Sequence, residues 1–75
     1  MVVTFKDKYG KERSIGSCDS KKSAFKLIDD FLASHNYKSY YYRTSYDVDN
    51  NRLVVDVGSW SEFFYIYGEE GDLSG

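Results

Sequence analysis

Between residues 2 and 17 apolar and polar side chains alternate, with Val3, Phe5 and Ile15 spaced for one face of two paired strands. The intervening DKYGK carries Asp7 at the first turn position and Gly10 where a positive φ is needed, which predicts a type I turn closed by a glycine bulge. Pairing Asp7 with Lys11 then sets Lys6 opposite Glu12 and Val3 opposite Ile15. From residue 20 to 35 the period lengthens to that of a helix. Ala24, Leu27, Ile28, Phe31 and Leu32 form one apolar stripe, and Phe25 lies beside it. Asp19 or Ser20 suits the N-cap, and Asn36 suits a left-handed stop. Lys21, Lys22 and Lys26 occupy the outer face of the first turns, where positive charge opposes the helix dipole.

Residues 39 to 57 read as a second hairpin. The turn VDNNRL offers Asn50-Asn51 as a two-residue loop, since Asn tolerates the positive φ of a type I′ turn. Asp49 would then pair with Arg52, Val48 with Leu53, Tyr46 with Val55 and Thr44 with Val57, with Asp47 opposite Val54 and Ser45 opposite Asp56 on the other face. Gly58 and two serines mark a turn in GSWSE, and the spacing of Ser59 and Glu62 fits a capping box and one helical turn. FFYIY, residues 63 to 67, reads as a last strand. It is apolar on both faces, as a central or covered strand is. The order β-β-α-β-β-β predicts an α+β fold, an antiparallel sheet of four to five strands with one helix packed on one face. Residues 1–67 are expected to form a single domain, and the acidic, glycine-rich 68–75 a flexible tail. The core is expected to comprise Val3, Phe5, Ile15, Leu27, Ile28, Phe31, Tyr46, Val55 and Val57.

At 75 residues the chain is short for a self-sufficient core, so the 19% of aromatic residues are its expected means of packing. Cys18 and His35 are the sole residues of their kinds, which excludes a disulfide framework and a Cys/His metal set within the chain. A free thiol fits a reducing compartment, and a cytoplasmic location is expected. No signal peptide or membrane-spanning run is apparent. The formal charge of −2 conceals an asymmetry: residues 1–45 balance to +4 and residues 46–75 to −6.

Five tyrosines crowd into YKSYYYRTSY. In the predicted register Tyr40, Tyr42 and Tyr46 face the core, and Tyr41 faces the other way with Arg43, Ser45 and Asp47. With one helix on one side, the opposite face would stay bare, presenting Tyr41, Arg43, Val54, Phe63, Tyr65 and Tyr67. Those rings either anchor an interface or merely brace neighbouring strands. Catalytic chemistry is not expected. Cys18 and His35 fall at opposite ends of the helix, roughly 25 Å apart at helical rise, and the adjacent Asp29 and Asp30 diverge on its surface. No phosphate-binding, nucleophile-elbow or calcium-loop motif is present, and no cofactor or metal is expected.

Three roles remain. The first is a small non-catalytic protein-binding module, with Tyr41, Arg43, Asp47, Asp49, Val54, Asp56, Trp60, Glu62, Tyr65 and Tyr67 as its partner-binding residues. Carboxylates on such a surface, extended by Glu69, Glu70 and Asp72, can stand in for phosphates in a basic channel. The second is single-stranded nucleic-acid binding through Lys6, Lys8, Tyr9, Lys11, Arg13, Lys21, Lys22 and Lys26, against which stands a pI near 5.2. The third is a homodimer pairing sheet faces or edges. The run RLVVDVGSWSEFF after a tyrosine-rich strand, and within it the nine residues DVGSWSEFF, resembles small uncharacterised phage and prophage accessory proteins. That resemblance implies a mobile-element accessory that binds and disables a host nucleic-acid-processing or defence protein. It assigns no site residues.

Overall fold

The computed structural model describes residues 1–35, 40–58 and 61–68. Strands β1 (Val2–Lys6) and β2 (Glu12–Ser17) precede the helix α1 (Lys21–Ser34), and β3 (Arg43–Asp47), β4 (Arg52–Asp56) and β5 (Phe63–Tyr67) follow it. The strands form one antiparallel sheet in the order β2-β1-β5-β4-β3, so the last strand in sequence is the central one in space. This is the predicted α+β architecture.

The first hairpin closes as its turn residues require. The Gly10 amide donates to Asp7 O at 3.0 Å, Gly10 takes φ of 81°, and the Asp7 amide donates to Lys11 O at 2.9 Å. Asp7 Oδ1 also accepts from the Tyr9 and Lys11 amides, which fixes the turn from within. Lys6 faces Glu12 as predicted, but Val3 faces Gly16 and not Ile15. A bulge between the Val3 and Thr4 pairings absorbs one extra residue of β2. The resulting shift brings Gly16 under the helix. A Cβ there would lie 3.1 Å from Leu27 Cδ1, so the absent side chain is what lets Leu27 pack so closely.

The second hairpin corrects the predicted register by two residues. Asp47 pairs with Arg52, Tyr46 with Leu53, Ser45 with Val54 and Thr44 with Val55. The loop is therefore the four residues Val48–Asn51, closed by the Asn51 amide donating to Val48 O, and only Asn51 adopts a positive φ, of 50°. The physical reason is that Asp47 organises the turn: it accepts from the Asn50 amide and side chain and from Arg52 Nε. A two-residue slip preserves strand parity, so every face assignment survives except that of Val48. Val48 leaves the core and stands 75% exposed in the loop.

Ser20 caps α1 through its Oγ, which accepts from the Ser23 amide at 3.2 Å. Asn36 and the possible helical turn at Ser59 fall outside the described residues, as does the tail from residue 69. The stripe of α1 meets the sheet face formed by Val3, Phe5, Leu53, Val55, Val57, Phe64 and Ile66. Ala24, Ile28 and Leu32 are fully buried there. Of the predicted core, Val3, Phe5, Ile28, Val55 and Val57 are buried, while Ile15, Leu27, Phe31 and Tyr46 pack at its margin. Phe5, Phe31 and Phe64 form its aromatic centre, with ring centroids 4.7 to 5.4 Å apart.

Two substitutions test this packing and register. Phe64→Ala removes the largest fully buried side chain among the described residues and is expected to cost about 3–5 kcal/mol, a large part of the stability of so small a domain. Val48→Lys is expected to change stability by less than about 0.5 kcal/mol, whereas the two-residue loop would have placed that charge in the core. Urea unfolding followed by circular dichroism reads both.

Candidate functional site

Side chains that point away from the helix line the second face of the sheet, and among the described residues no other element packs on it. Arg52 is its centre. The Arg52 guanidinium carbon lies 3.9 Å from the centroid of the Tyr65 ring. Its Nε donates to Asp47 Oδ2 at 3.0 Å and its Nη1 donates to the Tyr67 hydroxyl at 3.0 Å. The Tyr67 hydroxyl in turn donates to Glu12 Oε2 at 2.7 Å, and that oxygen also accepts from Thr4 Oγ1 at 2.7 Å. Glu12 lies on β2, Thr4 on β1, Tyr65 and Tyr67 on β5, Arg52 on β4 and Asp47 on β3. One polar chain therefore crosses all five strands.

This chain corrects the expectation of a bare aromatic face. Tyr65 retains only 6% of its surface, covered by the flat guanidinium, and Tyr67 and Val54 are half-buried. Arg is suited to the task because its plane can stack on a ring while its edge donates. Arg52 and Glu12 were not among the predicted site residues. The signal that could have found Arg52 is its isolation: it is the sole Lys or Arg in residues 46–75.

The electrostatics follow from these bonds. Partial burial works to raise the Glu12 pKa, but the hydrogen bonds from Tyr67 and Thr4 and the charge of Arg52 outweigh it and hold the carboxyl below its ordinary value. The Asn50 side chain, with help from Arg52, likewise lowers Asp47. Burial and donation to Glu12 push the Tyr67 phenol up.

A second cluster sits at the end of the sheet where β3 begins. Arg43 pairs with Asp56 across β3 and β4, and its guanidinium carbon lies 5.8 Å from the Tyr41 ring centroid. The Tyr41 ring lies over Gly58, where φ is 92° and an added Cβ would approach Tyr41 Cε1 to 2.9 Å. Asp56 Oδ1 accepts from the Gly58 amide at 2.8 Å and fixes that bend. Tyr41 nonetheless stays 54% exposed. Asp49 is exposed in the β3–β4 loop, Glu62 is half-buried just before β5, and Trp60 lies outside the described residues.

Tyr40, Tyr42 and Tyr46 lie on the helix side, as predicted, and Tyr37 falls outside the described residues. Tyr40 and Tyr42 both donate to Asp29 Oδ1, and Tyr42 meets Phe25 edge-on at 5.2 Å. Burial and the Asp29 carboxylate raise the pKa of both phenols. The basic residues are divided between the two ends of the helix. Lys6, Lys8, Tyr9 and Lys11 surround the β1–β2 turn. Lys21, Lys22 and Lys26 lie at the start of α1, which follows the far end of β2. Arg13 faces the helix side, with its guanidinium carbon 5.8 Å from both the Phe5 and Phe31 ring centroids. Cys18 and His35 stand before and after α1, and His35 stacks on Phe31 at 4.0 Å.

No family model, no curated protein and no solved structure matches this chain. The class that the fold defines is architectural: among the described residues, a five-stranded antiparallel sheet with one helix on one face and a polar network on the other.

The polar chain makes a pH prediction. Because the folded-state pKa of Glu12 is depressed, its contribution is fully present above the ordinary value near 4.5 and is lost as pH falls through the lower folded value. Glu12→Gln should therefore flatten the acid limb of the stability curve while changing little near neutrality beyond a constant offset. Chemical denaturation at stepped pH measures this, and an unchanged acid limb would remove Glu12 from the account.

Proposed function

We propose that this chain is a small non-catalytic protein-binding module that meets its partner at the corner of Tyr41, Arg43 and Asp56. The supporting observation is that Tyr41 is both exposed and held, by Gly58 beneath it and Arg43 beside it. A ring fixed before binding loses little freedom on association, which is why rigid Tyr and Arg side chains dominate interface energies. Arg43 and Asp56 set opposite charges beside the Tyr41 ring, so a partner with complementary polar groups would be oriented on this corner. The finer reading is a mobile-element inhibitor of a host nucleic-acid-processing or defence protein. It rests on the resemblance of DVGSWSEFF and on the acidic excess of residues 46–75.

The nucleic-acid reading keeps one specific feature. Tyr9 is 82% exposed at the β1–β2 turn, with Lys8 Nζ 5.3 Å from its ring centroid. That pair could stack on one base, but the helix lysines lie at the other end of a helix roughly 20 Å long and do not continue its track.

The test places a photo-crosslinking amino acid at position 41 and, as a control, at the exposed Asp30, with expression in bacterial cells. A discrete protein adduct from position 41 and none from position 30 is expected. With the partner in hand, Tyr41→Ala should weaken binding by about 2 kcal/mol, near thirtyfold. Light scattering separates a heterologous partner from a second copy. Absence of any adduct, together with salt-sensitive binding of labelled oligothymidylate that Tyr9→Ala abolishes, would overturn the proposal in favour of the nucleic-acid reading.

A further inference from the structure

On the side of α1 away from β2, a shallow groove is lined by Lys22, Ser23, Phe25, Lys26 and Asp29. Tyr42 stands beside it through its edge contact with Phe25 and its bond to Asp29. Lys22 and Lys26 are one helical turn apart, a like-charge spacing that weakens a helix. They sit in its first half, where the dipole adds further positive potential, and the first turn carries no acidic residue. The groove thus combines two ammonium groups and an aromatic floor with one carboxylate, Asp29, whose Oδ1 is already engaged by the Tyr40 and Tyr42 hydroxyls. It matches a short acidic segment that carries one aliphatic side chain.

Such a segment follows β5 directly. Residues 69–75 read EEGDLSG: Glu69, Glu70 and Asp72 supply the charge and Leu73 the apolar group. Their point of departure is also on the right end of the sheet. Tyr67 pairs with Val2, Val2 pairs with Ser17, and the Met1 ammonium donates to Cys18 O at 2.8 Å, just before the helix cap. β5 and β2 are two strand spacings apart, and the helix layer stands about 10 Å off the sheet, so the path from Gly68 to the start of α1 is roughly 14 Å. Seven extended residues reach about 23 Å.

We propose that the groove of Lys22, Phe25 and Lys26 is a binding site for an acidic segment, and that residues 69–75 of the same chain are its ligand. The inference is independent of the role given to Tyr41. It gives the +4 and −6 halves of the chain a direct electrostatic contact.

Carbodiimide coupling of the full chain, which joins a carboxylate to an amine already in contact, tests it. Digestion and mass spectrometry of the monomer band should find Glu69, Glu70 or Asp72 joined to Lys22 or Lys26. The yield should be lost in about 1 M salt, where the screening length falls to about 3 Å, and in the double variant Lys22→Gln, Lys26→Gln. As a readout that leaves the groove intact, Glu69→Gln, Glu70→Gln, Asp72→Asn should shift the amide resonances of residues 22–29 and Tyr42 and few others. Cross-links found only between two copies, or equally at Lys6, Lys8 and Lys11, would overturn the proposal. So would unshifted groove resonances.

Discussion

β5 is hydrogen-bonded on both sides, to β1 over residues 2–6 and to β4 over residues 52–56, and among the described residues no other strand joins the two hairpins. Each hairpin can close locally, because its pairing is fixed by a short turn. The sheet cannot. Val2 must find Tyr67 across nearly the whole chain, and that closure entropy is recovered only when Phe64 and Ile66 are buried between the sheet and α1. Everything else in the molecule depends on this insertion: the helix has no complete floor without it, and the second face has no Tyr65 or Tyr67.

The second face solves a problem of size. Among the described residues one helix packs on the five-stranded sheet, and it covers one side. The rings of β5 would be costly to leave open. Arg52 covers Tyr65 with its plane and ties Tyr67, Asp47 and Glu12 together with its edge. A single long side chain acts there as a thin second layer, apolar towards the ring and polar towards water. The side chains left exposed on this face are then those that the polar network does not engage. Among the described residues of this face, Tyr41 is the ring that stays exposed.

Much of the fold was legible in the sequence. The helix stripe, an N-cap at Asp19 or Ser20, the Asp7–Gly10 turn and the alternation in each strand are local patterns, and local patterns are read directly from residue spacing. The register of the second hairpin was not. Asn50-Asn51 is a fair two-residue loop by turn chemistry, but Asp47 supplies three hydrogen bonds to a longer one, and nothing in residue preference ranks those against each other. The bulge at Ile15 escaped for a similar reason: it is set by the fit of Leu27 over Gly16, between residues eleven positions apart.

The candidate site was only half legible. Parity placed Tyr41, Arg43 and Asp56 on one face and Tyr40 and Tyr42 on the other, because side-chain direction in a strand follows from position alone. Which exposed-face rings stay available is decided by contacts between strands that sequence order does not bring together. Tyr65 and Tyr67 look like Tyr41 in a one-dimensional reading. The sequence by itself determined the elements, their faces and the separation of charge between the halves of the chain. The tertiary structure alone decided that β5 lies at the centre, that Arg52 reaches across to Glu12, and hence which aromatic surface is sealed and which remains open. The reason is that burial is a property of neighbours in space, and here the decisive neighbours are far apart in the chain.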